Sequence, residues 1–355
     1  MNWIYDNQRI RKVFVYAPNW VGDHVMAFPF YLTLRELFPR ASLVLCGRNW
    51  ISSLYPSGVF EEIVTLDRAK NLSQTKLNEL KNQKIDLAFT LSPSFRSALL
   101  LYQIQSEYRI GYPGQFRKLL LRLPPKMGGR RIPAYNNTEH RALSYLRLLT
   151  PWFDNSMTGE DYLQLFRGPL KNKNLVSLSA ETISIKPKSL VICPGSVAES
   201  KIWPIDYVLQ IIQIALAKDS PFKNVVLVGS KIEAPFASYL IDTLEPALQK
   251  RVQNLTTKTD LSQLVDIIEK SSAVLANDSG ISHLTSLTTT GLVSFQGMGR
   301  KEETLPLNAR KIVHHAHLPC SPCMKKKCPR TDKPLECLTS ILPAQVWESL
   351  KEISR

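Results

Sequence analysis

Apolar residues gather along this chain in short runs separated by longer stretches of helical spacing, and many of the runs end in loops containing glycine, serine or threonine. In the first half Lys12 to Ala17, Ser42 to Cys46, Glu62 to Leu66, Asp86 to Thr90 and Tyr108 to Ile110 read as strands. Leu190 to Cys193, Val225 to Val228, Ala273 to Ala276 and Gly291 to Phe295 continue the alternation in the second half. Strands alternating with helices predict parallel sheets with crossover helices. Pro29 lies inside the apolar-periodic segment that runs to Phe38 and predicts a kink or a late helix start there. His140 to Leu149 reads as the last helix of the first half, and Pro151 to Lys188, rich in Asn, Ser and Lys, as a linker. A chain of 355 residues exceeds the usual single core, so two domains are expected.

Four of the strand-to-helix turns carry chemistry. Asn277-Asp278-Ser279-Gly280 follows a strand and opens a helix in which Ile281, Leu284 and Leu287 keep helical spacing, with Ser279 or Asp278 as the cap. Gly280 lets a ligand approach the backbone, and the first amides and the helix dipole suit an anion. A well-capped helix start explains the same residues. Asp23 follows Gly22 at the first turn and is either an N-cap or a general base for a hydroxyl held at the carboxyl ends of the strands. Lys201 follows the Pro194-Gly195-Ser196 loop and precedes Pro204, which reads as the start of a helix running toward Ala217. It is either a solvated charge or the partner of a diphosphate to which Ser196 also donates. Glu233 sits in the first turn of a helix after Gly229, where acids are favoured anyway, and where an acid can also hold a ribose hydroxyl.

Charge narrows the partners. Lys and Arg number 45 against 30 Asp and Glu, a formal +15, which suits a phosphorylated substrate, an anionic membrane surface or nucleic acid. Basic residues concentrate at Arg109, Arg117, Lys118, Arg122, Lys126, Arg130 and Arg131, and Phe116 to Leu123 reads as either a solvated basic face or a short amphipathic segment for a membrane interface. At 44% hydrophobic and 21% charged residues the chain is globular in composition. It has no apolar run long enough for a membrane span and no signal-peptide core in Met1 to Lys12, so a cytoplasmic location is expected. Walker A and GxGxxG motifs are absent, which disfavours ATPase and dehydrogenase readings.

Cys320, Cys323, Cys328 and Cys337 follow the pattern C-x2-C-x4-C-x8-C. The first pair has metal-ligand spacing, but the later spacings do not repeat it, leaving a structural zinc site and reduced thiols both open. Cys46 and Cys193 fall on strands and read as core.

The Gly22-Asp23 pair, the Pro194-Gly195-Ser196 loop with Lys201-Ile202-Trp203-Pro204, and the Asn277 to His283 turn together resemble the ADP-heptose:lipopolysaccharide heptosyltransferases, glycosyltransferase family 9. So does the tail from Cys320-Ser321-Pro322-Cys323 to Cys337-Leu338. The likeness spans nearly the whole chain in the family's order and is strongest to the heptosyltransferase II branch. It implies the GT-B fold, two Rossmann-like doubly wound α/β domains facing across a cleft. Residues 1–170 would bind the acceptor, 171–340 the nucleotide sugar, and 341–355 would form a helix packing back on the first domain.

The same resemblance implies an inverting transfer of heptose from ADP-heptose to the lipopolysaccharide inner core. Asp23 would be the base and Lys201 the group that stabilises the departing ADP, with Ser196, Glu233, Asp278, Ser279, Gly280 and His283 holding the donor. His283 reads equally well as a satisfied core histidine. Arg109, Arg117, Lys118 and Arg122 would meet a phosphorylated lipid A-core acceptor, with the enzyme peripheral at the cytoplasmic face of the inner membrane. No cofactor is implied, and no nucleic acid is expected as a partner. The competing readings are a GT-B transferase for another sugar nucleotide and a zinc-containing basic module for RNA or DNA.

Overall fold

A computed structural model describes residues 9–67, 72–114, 116–123, 138–152, 181–308 and 310–354, with 132, 134–136 and 176 besides. Its contacts divide the chain into two units, Met1–Ser177 and Leu178–Arg355. Most of the expected linker, together with Lys126, Arg130 and Arg131, lies outside the described residues.

The first unit is built on a five-stranded parallel sheet of β1 (Lys12–Tyr16), β2 (Ser42–Arg48), β3 (Glu62–Leu66), β4 (Leu87–Thr90) and β5 (Tyr108–Ile110), in the order β3-β2-β1-β4-β5. Four residues of β1 and all of β4 are buried, as expected of central strands covered by helices on both faces. The apolar segment after β1 forms two helices, α1 (Val21–Met26) and α2 (Phe28–Leu37), with Ala27 between them. Pro29 falls in the first turn of α2, where its missing N–H leaves no helical bond unmade. This is the late start that the sequence predicts. Helices α3 (Gln74–Asn82) and α4 (Phe95–Gln103) are each capped by a serine, Ser73 and Ser94, whose side chain accepts a backbone N–H of the first turn. Helix α5 (Arg141–Arg147) is followed by the buried Trp152, which packs on Phe38 and Phe89.

The second unit carries six parallel strands, β6 (Ser189–Cys193), β7 (Asn224–Leu227), β8 (Val252–Asn254), β9 (Ala273–Ala276), β10 (Gly291–Gln296) and β11 (Lys311–His315), in the order β11-β10-β9-β6-β7-β8. Counted from β6, this is the strand order of a dinucleotide-binding Rossmann sheet, with its switch point between β6 and β9. The expected α/β class, two doubly wound parallel sheets, is therefore what the chain forms.

The expected closing helix forms over Pro343–Ile353. Val346, Leu350 and Ile353 are buried in the core of the second unit with Leu190, Val208, Ile212 and Val293. Arg310 donates to the Ile353 carbonyl at 2.6 Å, and a Cβ at Gly291 would lie 2.4 Å from Ile353 Cγ1. The apolar face of this helix thus covers its own unit's sheet. The amphipathic pattern announces an apolar face but not the sheet it covers.

Candidate active site

The loops after β6 and β9 meet at the switch point of the second sheet, and Asn277 joins them. Its side-chain amide donates to the Pro194 and Gly195 carbonyls at 3.0 and 3.2 Å, while its Oδ1 accepts the Trp203 backbone N–H at 2.9 Å. With 2% exposure, Asn277 has three polar contacts inside the protein and fixes both loops. The Ser196 hydroxyl makes a long contact to the Asp278 carbonyl at 3.4 Å. Lys201 Nζ lies 2.7 Å from the Asp278 carboxylate, with side chains 26% and 9% exposed. An ammonium reached by solvent on one side and held by a nearly buried carboxylate on the other is positioned to exchange that partner for a phosphate.

Lys201 is held from behind by the cysteine-rich tail. The turn Glu199–Lys201 is secured at Ser200, whose hydroxyl donates to the Lys325 carbonyl at 2.5 Å and whose N–H donates to the Lys326 carbonyl at 3.1 Å. Trp203, fully buried, stacks on Phe295 at 4.7 Å and donates its indole N–H to the Ile341 carbonyl at 3.0 Å. Asn277, Ser200 and Trp203 all stand inside the motifs, yet their bracing role depends on partners far away in sequence. Only the fold reveals it.

Ser279 caps the helix Gly280–Leu284, and its N–H donates to Ser282 Oγ at 3.4 Å, so Ser279 rather than Asp278 is the N-cap. His283 is 4% exposed within that helix. Glu233 is the residue preceding the helix Ala234–Thr243, and its carboxylate accepts both the N–H and the hydroxyl of Ser230, at 2.6 and 2.7 Å. Gly229, at φ +149°, passes so close that a Cβ there would sit 2.5 Å from Glu233 Cβ. A side chain at this position would be strained and would also clash. Ser196, Lys201, Glu233, Asp278, Ser279, Gly280 and His283 thus all belong to the second unit and lie in the loops after β6, β7 and β9 or in the turns and helices that those loops open.

In the first unit Asp23 lies in the first turn of α1, next to the switch point between β1 and β4. Trp20 supplies the cap position, makes no side-chain cap bond and is 60% exposed, so Asp23 is not the N-cap. Tyr145 on α5 is a neighbour that the sequence does not announce. Its buried phenol is pushed well above its usual pKa, first by burial and next by the negative charge of Asp23. His24 points the other way. It is fully buried against Phe28, Tyr31 and Trp50, with Nε2 2.8 Å from the Leu54 carbonyl and Nδ1 3.0 Å from the Tyr31 hydroxyl. A carbonyl only accepts, so Nε2 carries the proton and Nδ1 accepts from Tyr31 in the neutral ring. Burial lowers the His24 pKa to about 4.

The four basic residues assigned to the acceptor divide into two kinds. Arg109 donates to the Leu120 and Ser106 carbonyls at 2.6 and 2.7 Å, and burial lowers its pKa. Arg117 is 6% exposed and donates to the Tyr112 carbonyl at 3.1 Å. Both guanidinium groups hold a loop together through these carbonyls. Lys118 and Arg122 remain exposed.

Cys320, Cys323, Cys328 and Cys337 line one small cavity of about 30 Å³, together with Arg330 and Glu336. All four are free thiols, and the Cys337 thiol is raised in pKa by burial and then by its three neighbours. Among the described residues no group of three or more His, Cys, Asp or Glu is placed to hold a metal ion. Cys46 and Cys193 are buried on their strands as expected.

Known proteins are similar to this chain in sequence and in fold. A lipooligosaccharide heptosyltransferase 2 of Campylobacter jejuni is 25% identical over 345 residues, covering 97% of this chain and 99% of that protein. The lipopolysaccharide heptosyltransferase 2 of Escherichia coli K12 is 26% identical over 324 residues, 85% of this chain and 87% of that protein. The solved E. coli ADP-heptose lipopolysaccharide heptosyltransferase II shares the GT-B fold at a TM-score of 0.74 and 22% identity, over 97% of this chain and 98% of that one. The sequence model of glycosyltransferase family 9 (heptosyltransferase) matches residues 75–333, well over half of the sequence and including the candidates from Ser196 to His283, and the chain belongs to that family.

Proposed function

We propose that this glycosyltransferase moves a heptose from ADP-heptose to a hydroxyl of the lipopolysaccharide inner core, with inversion at the anomeric carbon. The observation that carries the donor half is the junction at the second switch point, where Asn277 braces two loops and Lys201 is held beside Asp278. A diphosphate fits such a place, since Rossmann sheets bind nucleotides in the crevice beyond the carboxyl ends of their strands. The names of the relatives, each a heptosyltransferase acting on a lipopolysaccharide or lipooligosaccharide, support the sugar and the acceptor class.

In the proposed reaction Asp23 accepts the proton of the acceptor hydroxyl while its oxygen attacks the anomeric carbon. The bond from that carbon to the ADP β-phosphate oxygen breaks, and its electron pair leaves with ADP. Lys201, Ser196 and the backbone amides at Ser279 and Gly280 stabilise the negative charge that develops there. Glu233, already ordered by Ser230, takes a ribose hydroxyl, and Asp278 and His283 shape the donor turn. Lys118 and Arg122 supply positive charge for an acceptor that carries phosphates. The proposed location is peripheral, at the cytoplasmic face of the inner membrane. Among the described residues no helix is long and apolar enough to cross a membrane.

Calorimetric titration with ADP, ADP-heptose, UDP and a short DNA at one salt concentration tests the donor half. Selective binding of the adenine nucleotides is expected, while DNA binding without ADP binding would overturn the reading. Transfer of heptose to a heptose-deficient lipopolysaccharide core, followed by mass spectrometry, then tests the acceptor.

A further inference from the structure

Residues 109–114 and 116–122 belong to a loop closed at its ends and bearing exposed apolar side chains. Its ends are tied in an antiparallel bridge, where the Arg109 N–H donates to the Arg122 carbonyl at 2.8 Å and the Arg122 N–H to the Arg109 carbonyl at 3.0 Å. Inside the loop, Arg109 reaches across to the Leu120 carbonyl and Arg117 reaches back to the Tyr112 carbonyl. These bonds hold a short 3₁₀ turn, Arg117–Leu119, that rests against α4. Two buried or half-buried arginines thus give the loop a fixed shape, although it lacks an apolar core of its own.

The shape presents apolar side chains to solvent. Phe116 and Leu119 are each 82% exposed and Leu123 is 51% exposed, with Tyr102 of α4 nearby in the chain's fold at 55%. Phe116 also holds a left-handed backbone, φ +61°, which a residue with a Cβ adopts at a cost. Exposed single apolar residues are ordinary, but Phe116 and Leu119 both lie within one pinned loop and Leu123 directly follows its closing residue. Between them Lys118 and Arg122 are exposed, and no acidic residue occurs from Tyr108 to Leu123.

We infer that this loop is the surface by which the protein docks on a membrane carrying anionic headgroups, with Phe116, Leu119 and Leu123 entering the interface and Lys118 and Arg122 meeting the headgroups. Charge complementarity selects this occupant. A second copy would bring one acid-free basic loop against another, whereas an anionic bilayer accepts both the charges and the apolar tips. Nucleic acid would satisfy the lysine and arginine but leave the aliphatic tips without partners, since only Phe116 could stack on a base. The inference rests on the proposed acceptor being part of a lipid. It goes further by assigning Arg109 and Arg117 to the shape of the docking loop and the apolar tips to the contact itself.

The test is co-sedimentation of the full-length protein with phosphatidylcholine vesicles, with and without phosphatidylglycerol, for the wild type and for Phe116→Ser/Leu119→Ser. Both side chains are exposed, so the double variant keeps its fold, and unchanged ADP titration verifies this. The expected result is binding to the phosphatidylglycerol vesicles that weakens at least about tenfold in the double variant and falls with added salt. Equal binding by the double variant, or no vesicle binding by the wild type, would overturn the proposal. So would sedimentation equilibrium showing a dimer that the double substitution dissociates. Failure of the wild type to bind ADP would count against the transferase reading and leave the vesicle result intact.

Discussion

The two sheets place chemistry at equivalent points and hold it in different ways. In the second unit the loops after β6 and β9 are joined by a buried asparagine with three polar contacts. In the first unit the corresponding loops, after β1 and β4, are joined by a side-chain bond from Asn19 to the Ser92 hydroxyl at 2.9 Å, and Asn19 is only half-buried. Asp23 takes its position instead from α1, which is fastened on its inner side by His24. The proposed donor side is a cross-braced pair of loops, which suits the binding of a charged diphosphate in one register. The base side hangs on a short helix, and that helix is locked by an aromatic cluster and a titratable ring.

If the chemistry belongs to the first unit and donor binding to the second, substitution should separate them. Asp23→Asn removes the proposed base with little change in size, so turnover should fall by about 10²-fold or more while the calorimetric affinity for ADP stays within about twofold. Turnover close to that of the wild type would remove Asp23 from its role. Lys201→Ala should act on both quantities. Loss of a charge-assisted contact to phosphate weakens ADP binding by about tenfold or more and lowers turnover as well. If only acceptor affinity changed, the donor cradle would have to be placed elsewhere.

The staple itself can be removed. Asn277→Ala leaves the buried Trp203 N–H and the Pro194 and Gly195 carbonyls without their partner, which should cost about 3 kcal/mol of stability as well as ADP affinity. Asn19→Ala loses one half-buried bond and should cost about 1 kcal/mol or less, with ADP binding unaffected. Urea melts of the two variants side by side provide the comparison. Equal losses would mean that the two switch points are braced alike.

Much of this division was legible in the sequence. The order of apolar strands and glycine-bearing turns announced both parallel sheets, and Lys201, Glu233 and the Asp278 turn were marked by their places after strands. Strands β8 and β11 were not read. Val252–Asn254 is three mostly polar residues at one sheet edge, and Lys311–His315 is a half-buried edge strand with two histidines, so neither shows the apolar run that marks a central strand. The site was legible as a set of turns, whereas its bracing was not. Asn277 to Pro194, Ser200 to Lys325 and Asp23 to Tyr145 link residues far apart in the chain, and local pattern carries no information on such pairs. The loop bonds of Arg109 and Arg117 were hidden for a related reason, since composition counts charges but does not tell a guanidinium that holds carbonyls from one that faces solvent.

The smallest expected effect follows from the titratable lock on the base side. The folded-state pKa of His24, about 4, lies below the ordinary imidazole value near 6.5, so on acidification the unfolded chain takes up this proton first. The contribution of His24 to stability is therefore complete above about pH 6.5, is lost as the pH falls toward 4, and changes no further below that. Between pH 7 and pH 5 the loss from this ring should be about 1–2 kcal/mol, and the asparagine staple of the second unit has no counterpart to it. His24→Gln cannot titrate. It should be less stable at pH 7, because an amide cannot fill the space between Phe28 and Trp50, but its urea midpoint should fall less steeply from pH 7 to pH 5 than that of the wild type. Equal slopes would show that the acid sensitivity lies in other groups, such as His314 and His315, whose pKa values burial also lowers. A flatter slope, with ADP affinity unchanged in the variant at both pH values, would assign the acid-labile lock to the half of the molecule that carries Asp23.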